Sequence, residues 1–171
     1  MYKQNQRLIK IYTALAATTA TGLGSGFSKY APGTCGSLAA LAVWLLLSYL
    51  GWIDHIVNQL LLVALVCVLG LISTRAYLRA LQHRGSTDKD PGCIVIDEWV
   101  GTFLSLTGLS FEDYALWPTA FLLFRFYDVL KPGPVSWAER LPREWGIMLD
   151  DVVAGLLAAL SLALIRFLFG L

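Results

Sequence analysis

Charged residues are scarce in this chain. Its 13 Lys and Arg and 12 Asp and Glu make up only 15% of 171 positions and leave a formal net charge of +1. There is no basic run and no zinc-finger spacing, so nothing marks the chain as a nucleic-acid binder. Histidine occurs twice, as His55 and His83. A lone, unpartnered histidine lacks the geometry a general base needs, so His83 reads as a plain loop residue. His83-Arg84-Gly85 also runs opposite to an Arg-His-Gly phosphohistidine site. The cysteines Cys35, Cys67 and Cys93 are odd in number, far apart and outside any C-x-x-C pair. They argue for neither a disulfide framework nor a zinc site, and no cysteine is followed six residues on by arginine, as cysteine phosphatases require. Cys67 reads as helix packing.

Hydrophobic residues, by contrast, make up 57% of the sequence, and the mean hydropathy is +0.63. That composition belongs to a membrane protein. The length suits one domain, residues 1–171, built as an all-α, polytopic bundle of about four to six membrane-embedded helices of roughly 20 apolar residues each. Apolar runs at 38–52 and 56–76 are expected to form a tight helical hairpin. Polar residues at 79–92, with Pro91 and Gly92 as breakers, predict a loop. Further spans are expected at 94–109, at 116–130 and at 152–171. The fourth is stopped by Lys131-Pro132-Gly133-Pro134 and followed by a polar segment at 136–145. Lys3, Arg7 and Lys10 ahead of residues 13–21 faintly resemble a signal peptide, but the stretch is too rich in threonine, and it is expected to remain in the protein.

Lys and Arg concentrate in the N-terminal arm and in the segments 75–89 and 131–143, whereas 51–59 and 110–114 contain none. Short basic loops stay in the cytoplasm, which gives an alternating topology without contradiction. Arg166, near the far end of the last span, is expected to snorkel outward.

Two segments echo each other, Gly92-Cys93-Ile94-Val95-Ile96-Asp97-Glu98-Trp99-Val100-Gly101 and Gly146-Ile147-Met148-Leu149-Asp150-Asp151-Val152-Val153-Ala154-Gly155. Each has a glycine, an apolar run, two acids, and an apolar helix carrying another glycine. With Asp128 they bring five carboxylates to the cytoplasmic ends of three apolar segments. Five such charges cannot share a partly desolvated site unless cations neutralise them or several stay protonated. Hard oxygen donors at a wet membrane surface suit Mg²⁺, bound by Asp97, Glu98, Asp128, Asp150 and Asp151 together with water and substrate phosphate. The competing reading is that acids at helix N-termini complement the helix dipole.

Arg125, Asp128 and Lys131 share a helical stripe if the helix continues that far. Arg125 and Lys131 would then hold phosphate oxygens, the alternative being an ion pair of Arg125 with Asp128. Gly22, Gly24, Ser25 and Gly26, with Pro32-Gly33-Thr34-Cys35-Gly36-Ser37, form a Gly/Ser/Thr-rich stretch whose amides could cradle phosphate. Thr34 or Ser37 could equally be an N-cap, and the glycines could serve close packing.

These motifs resemble those of the phosphatidylglycerophosphatase A family of bacterial membrane enzymes. The matching stretches are Gly24-Ser25-Gly26, Pro32 to Leu38, Ile94 to Gly101, Phe124-Arg125-Phe126-Tyr127-Asp128-Val129-Leu130-Lys131-Pro132-Gly133-Pro134, and Gly146 to Gly155. The resemblance implies Mg²⁺-dependent removal of the terminal phosphate of phosphatidylglycerophosphate, giving phosphatidylglycerol. It implies a multi-pass protein of the bacterial inner membrane, with membrane phospholipid as partner and the site facing the cytoplasm. Ser25, Gly26, Gly33, Thr34, Gly36, Ser37, Arg125 and Lys131 would then bind substrate. Most of the five acids would hold metal, while one activates water or attacks phosphorus. A CDP-alcohol phosphatidyltransferase should show Asp-Gly-x-x-Ala-Arg, which is absent. A transporter or channel subunit should carry its acids at mid-bilayer rather than at helix ends. The expected architecture brings residues 31–37, Asp97, Glu98, Asp128, Lys131, Asp150 and Asp151 to one end of the bundle.

Overall fold

The computed structural model describes residues 2–88 and 91–170, with side chains from Lys10 onward, so Lys89 of the expected basic loop and the last residue of the expected final span lie outside it. Among the described residues there are seven α-helices, two short 3-10 turns and no strand. The α-helices are α1 (Tyr2–Ala20), α2 (Pro32–Tyr49), α3 (Ile56–His83), α4 (Ile96–Leu106), α5 (Trp117–Leu130), α6 (Gly133–Glu139) and α7 (Glu144–Phe169).

Three of them, α2, α3 and α7, are long and apolar enough to cross a membrane. The expected count of four to six is thus met only in part. At 1.5 Å per residue, α4 and α5 cover only about 16 and 21 Å of a roughly 30 Å hydrocarbon core. Pro32 starts α2 six residues before the apolar run, because a missing N–H costs nothing at the first helical position. At its other end Gly51, at φ 72°, closes a Schellman turn in which the Gly51 and Trp52 amides donate to the Ser48 and Leu47 carbonyls.

The expected α2–α3 hairpin is not the packing unit. The short α4 stands between them as the hub of the bundle, packed on α2, α3, α5 and α7, and nearly every residue along it is buried. It begins where Gly70 of α3 meets Ile96 and Met148, and it ends beside the start of α3. There the buried Gln59 amide donates to the carbonyls of Ile53 (3.0 Å) and Leu109 (2.9 Å) and accepts the Gly108 N–H (2.8 Å). This clamp fixes the depth of α4. At the same end Arg166 does not snorkel away: it bonds the Gly108 carbonyl and pairs with Asp113 at 3.6 Å.

The rest of the surface tells where lipid lies. On α3 the exposed side chains are aliphatic from Leu60 to Ile72 and then become Arg75 and Arg79. Tyr49, Trp52 and Tyr114 are exposed at one end and Trp137 and Trp145 at the other, as aromatic belts are. Beyond Ile72, α3 continues to His83, seven residues past the expected end, because α1 packs along this extension. Neither α1 nor α6 was expected as a helix, and His83 closes a helix rather than sitting in a loop.

Candidate active site: a carboxylate cluster at the α4–α7 crossing

The echoed glycines explain why the echoed acids meet. Gly155 lies so close to α4 that a Cβ on it would stand 2.5 Å from the Gly101 carbonyl oxygen, and a Cβ on Gly101 would collide with Phe124. Only glycine allows this crossing. Asp97 and Asp151 each lie one turn before their glycine, so the crossing carries them together. Asp97, Glu98 and Asp151 each offer an oxygen within 4.8 Å of the others. Asp151 and Asp97 are only 3% and 9% exposed.

Asp97 Oδ1 and Glu98 Oε2 are buried without a hydrogen-bond partner. An orphaned carboxylate oxygen is costly to bury, and two of them converging with a third acid fit a cation. The dipole reading does not extend to α7. That helix begins at Glu144, which puts Asp150 and Asp151 in its second turn, beyond the reach of the terminal charge.

The other two acids are held differently. Asp150 accepts from the Lys131 ammonium (2.9 Å) and from the Asp151 amide (3.0 Å). Lys131 also binds Glu139 of α6. Burial opposes its charge, but the Glu139 and Asp150 carboxylates outweigh burial and hold the ammonium above the ordinary lysine range. Lys131 does not continue the helical stripe, because α5 ends at Leu130 and Lys131 turns into the left-handed region at φ 44°. Asp128 forms the ion pair with Arg125, at 2.6 Å. Arg125 is meanwhile steered by Ser37, whose oxygen accepts from it (3.1 Å) while its hydroxyl donates to the Gly33 carbonyl (2.8 Å).

Of the Gly/Ser/Thr stretch, the second half reaches the site. A Cβ on Gly33 would run into the Glu98 carboxylate and sit 3.5 Å from an Arg125 nitrogen. The Gly33 and Thr34 amides precede the first backbone bond of α2, from Cys35 to Ala31, and are free to bind an anion. Thr34 and Ser37 are inside the helix and are not N-caps; Ala31 is. Gly36 serves close packing on Val95. The first half packs behind the site: Gly26 faces the Cys93 carbonyl, and Ser25 donates to Gly22 at 2.8 Å.

A profile of the family described as Phosphatidylglycerophosphatase A matches residues 18–166. The chain belongs to that family. It is 38% identical to Phosphatidylglycerophosphatase A of Escherichia coli (strain K12) over 82% of this chain and 77% of that protein. It is 38% identical to the protein of the same name in Haemophilus influenzae, over 86% of each chain. A relative in Bacteroides thetaiotaomicron, described as a putative phosphatidylinositol-3-phosphatase, is 34% identical over 88% of this chain and 92% of its own length. No solved structure matches.

Beside the site of this phosphatidylglycerophosphatase A family enzyme stand two acids that sequence reasoning passed over. Glu139 completes the grip on Lys131, and the buried Glu144 pairs with Arg75 at 3.4 Å. Both fall in a segment read as polar loop. Their one sequence signal is that acids stand there among arginines.

Proposed function

We propose that the protein hydrolyses the terminal phosphate monoester of phosphatidylglycerophosphate, releasing phosphatidylglycerol and inorganic phosphate, with a Mg²⁺ ion held by Asp97, Glu98 and Asp151. The observation that carries the metal is the convergence of three acids, Asp97 and Asp151 buried and Glu98 half-buried, two of them with an orphaned oxygen. When bound, such an ion neutralises phosphate oxygens and polarises water. The chain's own residues do the rest. Arg125, backed by Ser37, and the Gly33 and Thr34 amides offer donors to the phosphate beside Glu98. Lys131 keeps its proton too firmly to act as an acid and serves as a fixed positive charge. Asp128 and Asp150, outside the group of three, are the carboxylates available to take a proton from water. The oxygen of that water joins phosphorus, the bond from phosphorus to the lipid oxygen breaks, and the departing alkoxide takes up the proton that the carboxylate removed from water.

The cytoplasmic face of the inner membrane is the favoured side. Arg75, Arg79, Lys131, Arg140 and Arg143 gather at the end of the bundle that carries the site, whereas the other end has Arg166, already bound to Asp113. A transporter would hold its acids at mid-bilayer. Here Asp150 is about 9 Å along α7 from Glu144, which pairs with Arg75 just past the aliphatic surface.

The test is phosphate release by purified protein in mixed micelles of phosphatidylglycerophosphate. Turnover should vanish in a chelator and return with Mg²⁺. Absence of phosphate release from every lipid monoester tried would overturn the reading.

A further inference from the structure

Beside the carboxylate cluster, a cavity of about 570 Å³ opens between α3, the α6–α7 turn and the start of α7, with Asp150 on its wall. Arg75, Arg79 and Arg143 line it together with Glu139, Glu144 and Asp150. The three acids are already paired, Glu144 with Arg75 and both Glu139 and Asp150 with Lys131. Arg79 and Arg143 are left with no carboxylate among the described residues. Arg75 and Lys131 together answer all but one of the three acid charges, so the two unpaired guanidinium groups leave the cavity net positive, and their planar forks suit phosphate.

Its depth identifies the anion. The cavity begins on α3 where Ile72, the last exposed aliphatic residue, gives way to Arg75, and the half-exposed Trp145 stands beside it. That is the headgroup level. Arg143 is held there at φ 54°, ψ −132°, a region that non-glycine residues rarely occupy. The strain accompanies a turn so tight that a Cβ on Gly146 would strike the carbonyls of Leu141 and Glu139.

We propose that this cavity, through Arg79 and Arg143, binds the phosphodiester of the lipid while the carboxylate cluster next to it works on the monoester. It thereby selects lipids that carry both groups over those with a monoester alone. The assignment rests on the lipid-phosphatase reading above, and it would give the enzyme a means of selection that the carboxylate cluster, which meets only the monoester, lacks.

The experiment compares wild type with Arg79→Gln/Arg143→Gln on phosphatidylglycerophosphate and on phosphatidic acid, which has a monoester and no diester. On the first lipid the variant should lose about tenfold or more in kcat/KM, carried by KM, since one charge-assisted bond is worth roughly that much. On phosphatidic acid it should match wild type. Retention of phosphatidylglycerol, a diester without a monoester, is measured by native mass spectrometry on the same proteins; wild type should hold it and the variant should release it. This arm reads the cavity whether or not the enzyme turns over, so loss of the functional reading and loss of the cavity assignment are separable. An unchanged substrate ratio with equal retention by both proteins overturns the proposal. So does a wild type that takes up inorganic phosphate at this cavity but does not retain phosphatidylglycerol, which would make the cavity a site for free phosphate.

Discussion

Gly155→Ala places a single methyl group at the crossing that builds the site. The new Cβ would stand 2.5 Å from the Gly101 oxygen, 2.9 Å from the Leu104 Cβ and 3.0 Å from the Gly101 Cα. Ordinary contact begins at 3.4 Å, so α4 and α7 must part by about 0.9 Å, and two of the three obstacles are backbone with no rotamer to escape into. Asp151 and Asp97, one turn away on the two helices, move with them. Metal ligands tolerate about 0.2 Å, and a displacement near 1 Å at a reacting centre costs about 100-fold. Gly155→Ala should therefore lower turnover by about two orders of magnitude and raise the Mg²⁺ concentration for half-activity. The overpacking should cost about 1–3 kcal/mol of stability, leaving the bundle folded. Gly92→Ala is the control, since a Cβ there meets nothing within 4 Å. The assay is phosphate release titrated with Mg²⁺, alongside thermal melting in detergent. Wild-type turnover and Mg²⁺ midpoint in Gly155→Ala would refute the claim that the glycine crossing sets the carboxylate spacing.

Asp151→Asn and Asp97→Asn should each weaken Mg²⁺ activation and turnover together, whereas Asp150→Asn, which loosens Lys131, should raise KM with a smaller change in the Mg²⁺ midpoint; equal midpoints for all three would contradict the split. Gln59→Leu strips three backbone groups, two of them buried, of their partners and should cost about 2–5 kcal/mol in melting experiments, with turnover per folded molecule preserved. At the same end of the bundle, the Ser110 amide and hydroxyl hold the Asp113 carboxyl below the usual aspartate range, with help from Arg166. A depressed folded value adds stability above the unfolded pKa of about 3.9 and loses it as pH falls through the folded value. The gap in melting temperature between wild type and Asp113→Asn should therefore be full at neutral pH and close in acid.

The acids and the basic residues around them were legible in the sequence because charge stands out in an apolar chain. The partition among the acids was not. Asp97, Glu98 and Asp151 converge, whereas Asp128 pairs with Arg125, an alternative the i,i+3 spacing had left open, and Asp150 is tied to Lys131, which depends on the turn of Lys131 into the left-handed region. Helix α6 was missed because Pro-Gly-Pro signals a stop, although proline in a first turn also starts a helix. The start of α7 was missed because Glu144 and Asp150 look like loop residues until the first is seen paired with Arg75 and the second with Lys131. The central position of α4 was not legible because an apolar face on eleven residues says that the helix packs, not that it packs on four neighbours drawn from both ends of the chain. Gln59 finds its partners some 50 residues away, beyond any periodicity.

That hub position also bears on how the enzyme comes into being. A segment of eleven helical residues with two acids in its first turn is a poor candidate for entering lipid on its own, and α2 and α3 cover only part of its surface. Its most extensive neighbour, α7, is synthesised after α1 to α6, and it carries the third carboxylate. A nascent chain that has threaded α2 and α3 thus holds half of a centre, with α4 resting against them until the C-terminal helix arrives. Assembly of the bundle and creation of the active site are then the same event, so a chain cut short before α7 has no partial activity to unleash on the membrane that is making it.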